Sequence, residues 1–267
     1  MKINRLFTAA LMVAPMLVAQ DSADKITLSF SDPSRPGTVK LNSAMHANIS
    51  VKVHASKEVL VEASGAGRRA RRAAPEGMRR IGENAWDLKA NEAGNVITLN
   101  PGMTGGSIAL TVPPKTNLIL HTMNGSITVD QAEGEVEVNT MNGAVTLNQM
   151  SGPVVAHSMN GKIKTTFARV DAAKPMSFSS MNGTIDVTFP QDLKATMRLQ
   201  NSMGDIFTDF DVVVKNEPAK VTTAAAEKNG GKYKVHMEKA MTAIVNGGGA
   251  EIQVKTFNGT VYLRKQK

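Results

Sequence analysis

The 267-residue chain contains no cysteine and few aromatic residues, and both shortages narrow what the protein can be. Without cysteine it has no disulfide bond, no thiolate metal ligand, no cysteine nucleophile and no lipid-bearing N-terminal cysteine. Aromatic residues make up 4% of the chain, whereas hydrophobic residues make up 42%. Any core must therefore be built mainly from valine, isoleucine, leucine and methionine, and the length suits one or two domains.

The first twenty residues have the composition of a secretory signal peptide. Lys2 and Arg5 precede an apolar run over residues 6–19, and polar, acidic sequence follows Gln20. The run is shorter than the roughly 20 residues that a membrane-spanning helix needs, so cleavage near Gln20 is favoured over retention as an anchor. The sequence therefore predicts export, to the periplasm, the outer envelope or the cell surface, and no transmembrane span after cleavage.

A nine-residue repeat runs through the second half of the chain. It is clearest from Gly125 to Gly161, where glycine recurs every nine residues and hydrophobic residues follow two and four positions later. A strand of about five residues and a turn of about four fit this length. The turns alternate, because T/S-M-N-G recurs every eighteen residues and Q-A-E-G and Q-M-S-G fall midway. The structural unit is therefore eighteen residues long, with two strands and two turns.

This unit predicts an all-β fold, a two-sided β-solenoid with about 18 residues per coil, in which coils stack about 4.8 Å apart. An antiparallel sandwich or meander with Asn-Gly hairpins explains each turn locally, but not why the turns alternate. The sequence divides into a signal peptide (1–20), an N-terminal β region or cap (21–112) with a basic loop at 65–80, and the solenoid (113–267). A long insertion interrupts the solenoid near 211–249.

Residues eighteen apart lie above one another in a solenoid, which gives the T/S-M-N-G repeat a structural explanation. Stacked asparagine amides hydrogen-bond between coils, and asparagine and glycine tolerate the left-handed backbone of a sharp turn. The methionine of each turn is predicted to fill a corner of the core. The predicted turn ladder is Asn124, Gly125, Asn142, Gly143, Asn160, Gly161, Asn182, Gly183, Asn258 and Gly259. The predicted buried residues are Ile127, Val129, Val136, Val138, Val145, Leu147, Ile163, Ile185 and Ile206.

Two longer stretches carry a resemblance to a known group of proteins. "LTVPPKTNLILHTMNGSITV" (residues 110–129) and "NGGGAEIQVKTFNGTVYLRK" (residues 246–265), with the repeats and the N-terminus, resemble the bacterial putative-adhesin family of exported β-strand-repeat proteins, a domain of unknown function. The resemblance covers residues 108–267 well and the N-terminal third loosely. It implies a β-helical, exported, non-catalytic protein and supplies no catalytic residues.

Six arginines are concentrated in the segment "GRRARRAAPEGMRR", which contains a single acidic residue, Glu76. Clustered guanidinium groups bind phosphates and carboxylates in bidentate geometry, so a polyanion such as lipopolysaccharide or an acidic glycan is a candidate ligand. A solvated loop without a ligand is the alternative. The candidate polyanion-binding residues are Arg68, Arg69, Arg71, Arg72, Arg79 and Arg80.

Other candidate chemistry is weak. His121 and His157 lie two coils apart, about 9.6 Å, which is too far for one metal ion to bridge, and the methionines are assigned to the core, so no metal site is predicted. Glu135 and Glu137 would be about 6.7 Å apart on one strand, a separation compatible with an inverting glycosidase pair. Two solvated glutamates are more often surface charge. No catalytic residue and no cofactor are therefore predicted.

The sequence as a whole predicts an exported, non-catalytic β-solenoid that acts as an envelope or surface scaffold or as an adhesin-like interaction module. Its predicted partner is a component of the envelope or surface, with an acidic polymer as one candidate and no specific nucleic acid. Two alternatives remain open: a glycan-processing β-helix enzyme, and an envelope protein that binds polyanions through the arginine-rich loop.

Overall fold

The computed structural model describes residues 24–42, 46–65, 88–101, 106–216, 220–223, 235–238 and 240–267. This part of the chain is built from strands, and it contains no helix of the length and hydropathy that crossing a membrane requires. The strands before the regular repeats are β1 (Asp24–Ser29), β2 (Thr38–Asn42), β3 (Ala47–Val53), β4 (Glu58–Gly65), β5 (Leu88–Ala93), β6 (Val96–Pro101) and β7 (Gly106–Val112).

The regular repeats supply the next ten strands, and the region after them supplies six more. The repeat strands are β8 (Asn117–Asn124), β9 (Ile127–Asp130), β10 (Val136–Asn142), β11 (Val145–Met150), β12 (Val154–Asn160), β13 (Ile163–Phe167), β14 (Met176–Asn182), β15 (Ile185–Phe189), β16 (Ala195–Met203) and β17 (Ile206–Thr208). The remaining strands are β18 (Val212–Asn216), β19 (Lys220–Thr223), β20 (Val235–Glu238), β21 (Ala240–Val245), β22 (Ala250–Asn258) and β23 (Val261–Lys265).

The strands form two large sheets, and consecutive repeat strands alternate between them. Sheet A has ten strands in the order β1-β4-β7-β3-β9-β11-β13-β15-β23-β17. Sheet B has eleven strands in the order β18-β21-β16-β22-β14-β12-β10-β8-β2-β6-β5. The strands β19 and β20 form a separate antiparallel pair. Each coil therefore contributes one strand to each sheet.

Parallel pairing at the repeat length confirms the solenoid. Val136 of β10 pairs with Leu118 of β8 on one side and with Val154 of β12 on the other, eighteen residues away in each direction. The same spacing joins Val145 of β11 to Ile127 of β9 and to Ile163 of β13. Hairpins would pair these strands antiparallel, so the alternative sandwich or meander is excluded.

The core lies between the two sheets and consists of the inward-facing residues of each strand. Eight of the nine residues predicted to be buried are buried, each with no more than 1% of its surface exposed. The exception is Ile206, which is only partly buried. It lies on the three-residue strand β17, which pairs only with β23 among the described strands, so one side of it lacks a neighbouring coil.

The coils are not stacked in chain order at either end. Near the N-terminus the coil β2–β3 lies between β6–β7 and β8–β9, so the chain steps over one coil as it passes from β7 to β8. Near the C-terminus the last coil, β22–β23, lies between β14–β15 and β16–β17. The C-terminal strands are therefore interior members of the stack.

Antiparallel strands extend the ends of the stack. At the N-terminal end β4 and β1 extend sheet A, and β5 extends sheet B through a turn at Gly94 and Asn95, both of which have positive φ. At the other end β21 and β18, from the predicted insertion, extend sheet B. Terminal strands that depart from the repeat limit further coil-on-coil stacking between molecules.

Candidate functional site: the repeated T/S-M-N-G edge

The five T/S-M-N-G and related turns lie along one edge of the solenoid, which we call the TMNG edge (residues 122–125, 140–143, 158–161, 180–183 and 256–259). Its asparagine amides form the predicted ladder. Nδ2 of Asn142 donates to Oδ1 of Asn124 at 2.8 Å, and Nδ2 of Asn160 donates to Oδ1 of Asn142 at 2.8 Å. Asn182 continues the ladder to Asn160 at 2.9 Å, and Asn258 is its neighbour in register. The amides thus link the coils along this edge.

The backbone reason given for asparagine at this edge is wrong. None of the ladder asparagines has positive φ in the described chain. Among the non-glycine residues of the regular repeats, positive φ occurs instead at the opposite edge, at Gln131 and Gln149, with φ of 60° and 56°. The ladder asparagines are therefore explained by their amides and not by a left-handed backbone.

Glycine is needed at the TMNG edge because neighbouring backbones approach closely. A Cβ atom added to Gly143 would lie 2.0 Å from the carbonyl oxygen of Gly125, and one added to Gly161 would lie 2.0 Å from that of Gly143. Real Cβ atoms essentially never approach another heavy atom to less than 3.0 Å. At Gly143 the expectation that glycine serves for its left-handed backbone is thus replaced by a steric requirement between coils.

The first residue of the motif has a role that the sequence analysis missed. Its side chain is buried, and in four of the five coils its hydroxyl donates to a backbone carbonyl of the neighbouring coil, with Thr122 reaching the oxygen of Ala47 at 3.3 Å. The hydroxyl of Thr140 reaches the oxygen of Gly125 at 3.4 Å, that of Ser158 reaches Gly143 at 3.3 Å, and that of Ser180 reaches Gly161 at 3.3 Å. The buried hydroxyl therefore satisfies a carbonyl acceptor at the corner of the core.

The methionines of this edge are on the outside, so their assignment to the core is wrong. Met123, Met141 and Met181 are 43%, 39% and 50% exposed, and Met159 is half-buried. The alternation of β8 explains this, because buried Leu118 and Leu120 are followed in phase by the threonine and not by the methionine. On the opposite edge the same repeat position does face inward, and Ala132 and Met150 there are buried, as predicted.

The glutamates proposed as an enzymatic pair lie at the surface of sheet B. Glu135 is exposed, and Glu137 accepts a hydrogen bond from Nδ2 of Asn139 at 3.0 Å. Nε2 of His121 lies 3.7 Å from Oε1 of Glu137. The carboxylate of Glu137 is therefore part of a small polar cluster on the outer face of sheet B.

Replacing Glu135 and Glu137 with glutamine should change the free energy of unfolding by less than about 0.5 kcal/mol, because exposed carboxylates and their ion pairs contribute little. Chemical denaturation of the parent and the double variant measures this. A loss above about 2 kcal/mol would show that the cluster with His121 and Asn139 stabilises the coil far more than a surface ion pair does.

A depression of about 270 Å³ lies on the outer face of sheet B. It is lined by Val155, Met176 and Ser177, by one carboxylate, Glu251, and by one guanidinium, Arg198. Glycoside hydrolysis in its common form uses two carboxylates that flank the bond to be cleaved. The depression supplies one, so it does not match that arrangement.

Two carboxylates at the N-terminal end have lowered pKa values, and local hydrogen bonds cause both. The hydroxyl of Ser34, followed by the guanidinium of Arg35, lowers the pKa of Asp32. The hydroxyl of Ser31 lowers the pKa of Glu92. Both residues are half-buried and shape the turn that connects β1 and β2 to the β5–β6 hairpin, where Oδ1 of Asn95 accepts a hydrogen bond from the backbone N–H of Asp32 at 2.9 Å. They are structural acceptors.

Of the remaining residues discussed in the sequence analysis, the two histidines lie in the described part of the chain and the arginine cluster does not. Asn139 separates His121 from His157 in register, as the eighteen-residue spacing predicts. The arginine cluster, Arg68 to Arg80, lies outside the described residues, as does the predicted signal peptide. Polyanion binding and signal cleavage therefore remain predictions.

The parallel pairing, the eighteen-residue coil and the amide ladder define a two-sheet β-solenoid. The chain belongs to the Toastrack family DUF4097, whose model matches residues 37–240, and this bears out the predicted resemblance to an adhesin-like domain of unknown function. A solved structure titled as a putative cell adhesion protein from Clostridium sporogenes ATCC 15579 is similar, with 10% sequence identity and a TM-score of 0.43. The alignment covers 92% of this chain and 100% of that one. No curated protein matches the chain.

Proposed function

We propose that the protein is an exported, non-catalytic interaction module of the cell envelope or cell surface. The observation that carries the proposal is the length and regularity of the outer surface of the two sheets. Ten and eleven strands about 4.8 Å apart give the two sheets lengths of about 43 and 48 Å. A partner would therefore meet a long, regular surface, which suits adhesion or scaffolding better than the conversion of a small substrate.

The side chains on these faces form rows of hydrogen-bonding groups that repeat from coil to coil. On sheet A, Thr128, Thr146 and Lys164 are neighbours in register, and the next residue in the row is Asp186. Asp186 accepts a hydrogen bond from Nε of Arg264 at 2.9 Å. Donors and acceptors at a fixed interval are complementary to an extended polymer with repeating polar groups, such as an envelope glycan.

Two sequence features support export and an anionic partner. The N-terminal segment has the composition of a signal peptide. The chain has a formal net charge of +8, and six of its basic residues lie in the arginine-rich segment. Envelope polymers and lipids that carry phosphate or carboxylate groups would be attracted to this charge. The glycan-processing alternative has less support, because the depression on sheet B contains a single carboxylate.

Fractionation and envelope binding test the proposal together. Cells that express the full chain should release a form shortened near Gln20, found in the periplasm or medium by intact mass. That form should bind isolated envelopes saturably and should cleave no member of a glycan panel. Retention of the uncleaved chain in the cytosol, or reproducible glycan cleavage, would contradict the proposal.

Two variants locate the contact. Replacing Arg68, Arg69, Arg71 and Arg72 with serine should abolish salt-sensitive binding to lipopolysaccharide or heparin without lowering the melting temperature, because released counterions drive such binding. Replacing Thr146 and Lys164 with glutamate alters the face of sheet A instead. Envelope binding that survives the serine replacement but not the glutamate replacement would place the contact on sheet A.

A further inference from the structure

The methionines of the TMNG edge form a continuous outward row. Met123, Met141, Met159 and Met181 occupy the same position in four adjacent coils, since the residues on either side of each are paired in register. We call these four residues the methionine row. Phe257 takes the equivalent place in the next coil and ends the run of thioethers. Three of the four methionines are at least 39% exposed.

Core packing does not account for these four side chains. The inward position of each turn is filled by the preceding threonine or serine, and Ser158, for example, is fully buried. Met150 shows the contrast within the same chain, because it occupies the equivalent repeat position on the other edge and is 0% exposed. The four thioethers therefore face solvent next to the amide ladder, where they do not fill the core.

The spacing of the row suits coordination of one small ion by sulphurs from neighbouring coils. Thioether sulphur is a soft ligand that selects Cu(I) among biological metal ions. A metal–sulphur bond is about 2.3 Å, so two in line span about 4.6 Å, close to the strand separation of about 4.8 Å. Methionine side chains have three rotatable bonds, which allow the sulphurs to adjust to this distance without movement of the backbone.

A histidine stands beside the middle of the row. His157 and Met159 lie on the outward side of β12, with buried Ser158 between them, and are about 6.7 Å apart along the strand. The ring of His121 is hydrogen-bonded to Asn139 and lies beside the carboxylate of Glu137. In contrast, the ring of His157 makes no hydrogen bond or ion pair in the part of the chain that the structure describes. Neutral imidazole is a further ligand for copper.

We propose that the methionine row is a binding site for a soft monovalent cation, Cu(I), held by thioethers of adjacent coils with His157 as an additional ligand. This replaces the expectation of no metal site, which depended on placing the methionines in the core. The site requires the parallel stack, because only the fold brings residues eighteen or more positions apart into one row.

Titration of the full chain with Ag(I), a redox-stable probe of the same charge and softness, tests the proposal. With methionine methyl groups labelled with ¹³C, the signals of Met123, Met141, Met159 and Met181 should shift, and those of buried Met150 and Met197 should stay in place. Cu(I) affinity is then measured by competition with a chromogenic Cu(I) chelator.

Leucine variants provide matched comparisons, because leucine has a similar volume and lacks the sulphur. Replacing all four row methionines with leucine should weaken Cu(I) binding about 100-fold or more at an unchanged melting temperature, since every thioether ligand is lost. Met150→Leu should bind as the parent does. His157→Asn should weaken binding about tenfold.

Three results would overturn the proposal. The first is a parent chain that binds Cu(I) no more tightly than the fourfold leucine variant. The second is a set of Ag(I)-induced shifts at methionines outside the row. The third is unchanged affinity in His157→Asn, which would remove the imidazole from the site.

Discussion

A chain that ends at Gly249 should lose the folded structure of its C-terminal coils, even though only the last eighteen residues are absent. These residues contain β22 and β23, which lie inside the stack and separate β14–β15 from β16–β17. The strand β17 pairs only with β23 in the described chain, and β16 would keep only its antiparallel neighbour β21. In a solenoid whose coils stack in chain order, removal of the last repeat would instead remove only one interface between coils.

The expected loss is comparable to the stability of a whole domain. Ile252, Val254, Val261 and Leu263 are each no more than 2% exposed. Burial of each such side chain contributes about 2 kcal/mol, so their loss removes about 8 kcal/mol, against a usual total of about 5–15 kcal/mol. Hydrogen exchange should show the amides of β16 and β17 unprotected, while β8 to β11 retain protection.

A chain that ends at Lys265 is the matched control. It keeps both strands and loses only Gln266 and Lys267, with two hydrogen bonds: Gln266 N–H to the backbone oxygen of Phe189 at 2.8 Å, and Nε2 of Gln191 to the backbone oxygen of Gln266 at 2.9 Å. Its melting temperature should fall by no more than about 4 °C. Parent-like protection of β16 in the chain ending at Gly249 would show that the last coil is not interior.

Gly143→Val should destabilise the protein by about 3 kcal/mol, which corresponds to a fall in melting temperature of about 10 °C. The added Cβ would lie 2.0 Å from the carbonyl oxygen of Gly125 and 2.7 Å from its carbonyl carbon, so the two coils must move apart. Such a separation also strains the amide bonds of Asn124, Asn142 and Asn160. Thermal and chemical unfolding measure the loss.

Two comparisons separate this steric cause from others. Ala144→Val places the same side chain at the next residue, which is exposed, and should change stability by no more than about 0.5 kcal/mol. Gly143→Asn should cost as much as Gly143→Ala, because both add the same Cβ. An asparagine variant that is clearly more stable than the alanine variant would instead indicate a left-handed backbone at this residue.

The sequence predicted the fold because two independent patterns in the repeat both indicate it. The two-residue alternation of hydrophobic residues predicted which side chains of β8 to β15 are buried, and the alternation of turn types predicted the coil length. The partial exposure of Ile206 was not predicted, because its burial depends on how many strands lie beside β17, and the local pattern does not encode that number. The stacking order of the terminal coils was not predicted for a similar reason. The coil β22–β23 has the same hydrophobic pattern as every other coil, so the pattern does not show where it lies in the stack.

The outward position of the methionine row could have been predicted from the sequence, but the nine-residue repeat alone indicated a buried position. Both edges were treated as equivalent because methionine occurs at both. The strand alternation through Leu118 and Leu120 continues to Thr122 and therefore leaves Met123 outside. The steric role of Gly143 lies beyond sequence reasoning, because it depends on the distance between two backbones in different coils.

Engineered disulfides test most directly that the chain forms one continuous stack with its last coil inside. The chain has no cysteine of its own, so an introduced pair supplies the only thiols. Asn182 and Asn258 are direct neighbours in register, whereas Met203 lies one coil beyond Asn258. Adjacent coils, about 4.8 Å apart, fall within the usual Cα separation of a disulfide, and coils about 9.6 Å apart do not.

Under mild oxidation, Asn182→Cys with Asn258→Cys should form an intramolecular disulfide. Asn182→Cys with Met203→Cys should keep two free thiols. Intact mass after thiol alkylation distinguishes the two states. Disulfide formation by the second pair and not by the first would show that the coils follow chain order, and would contradict the stack described here.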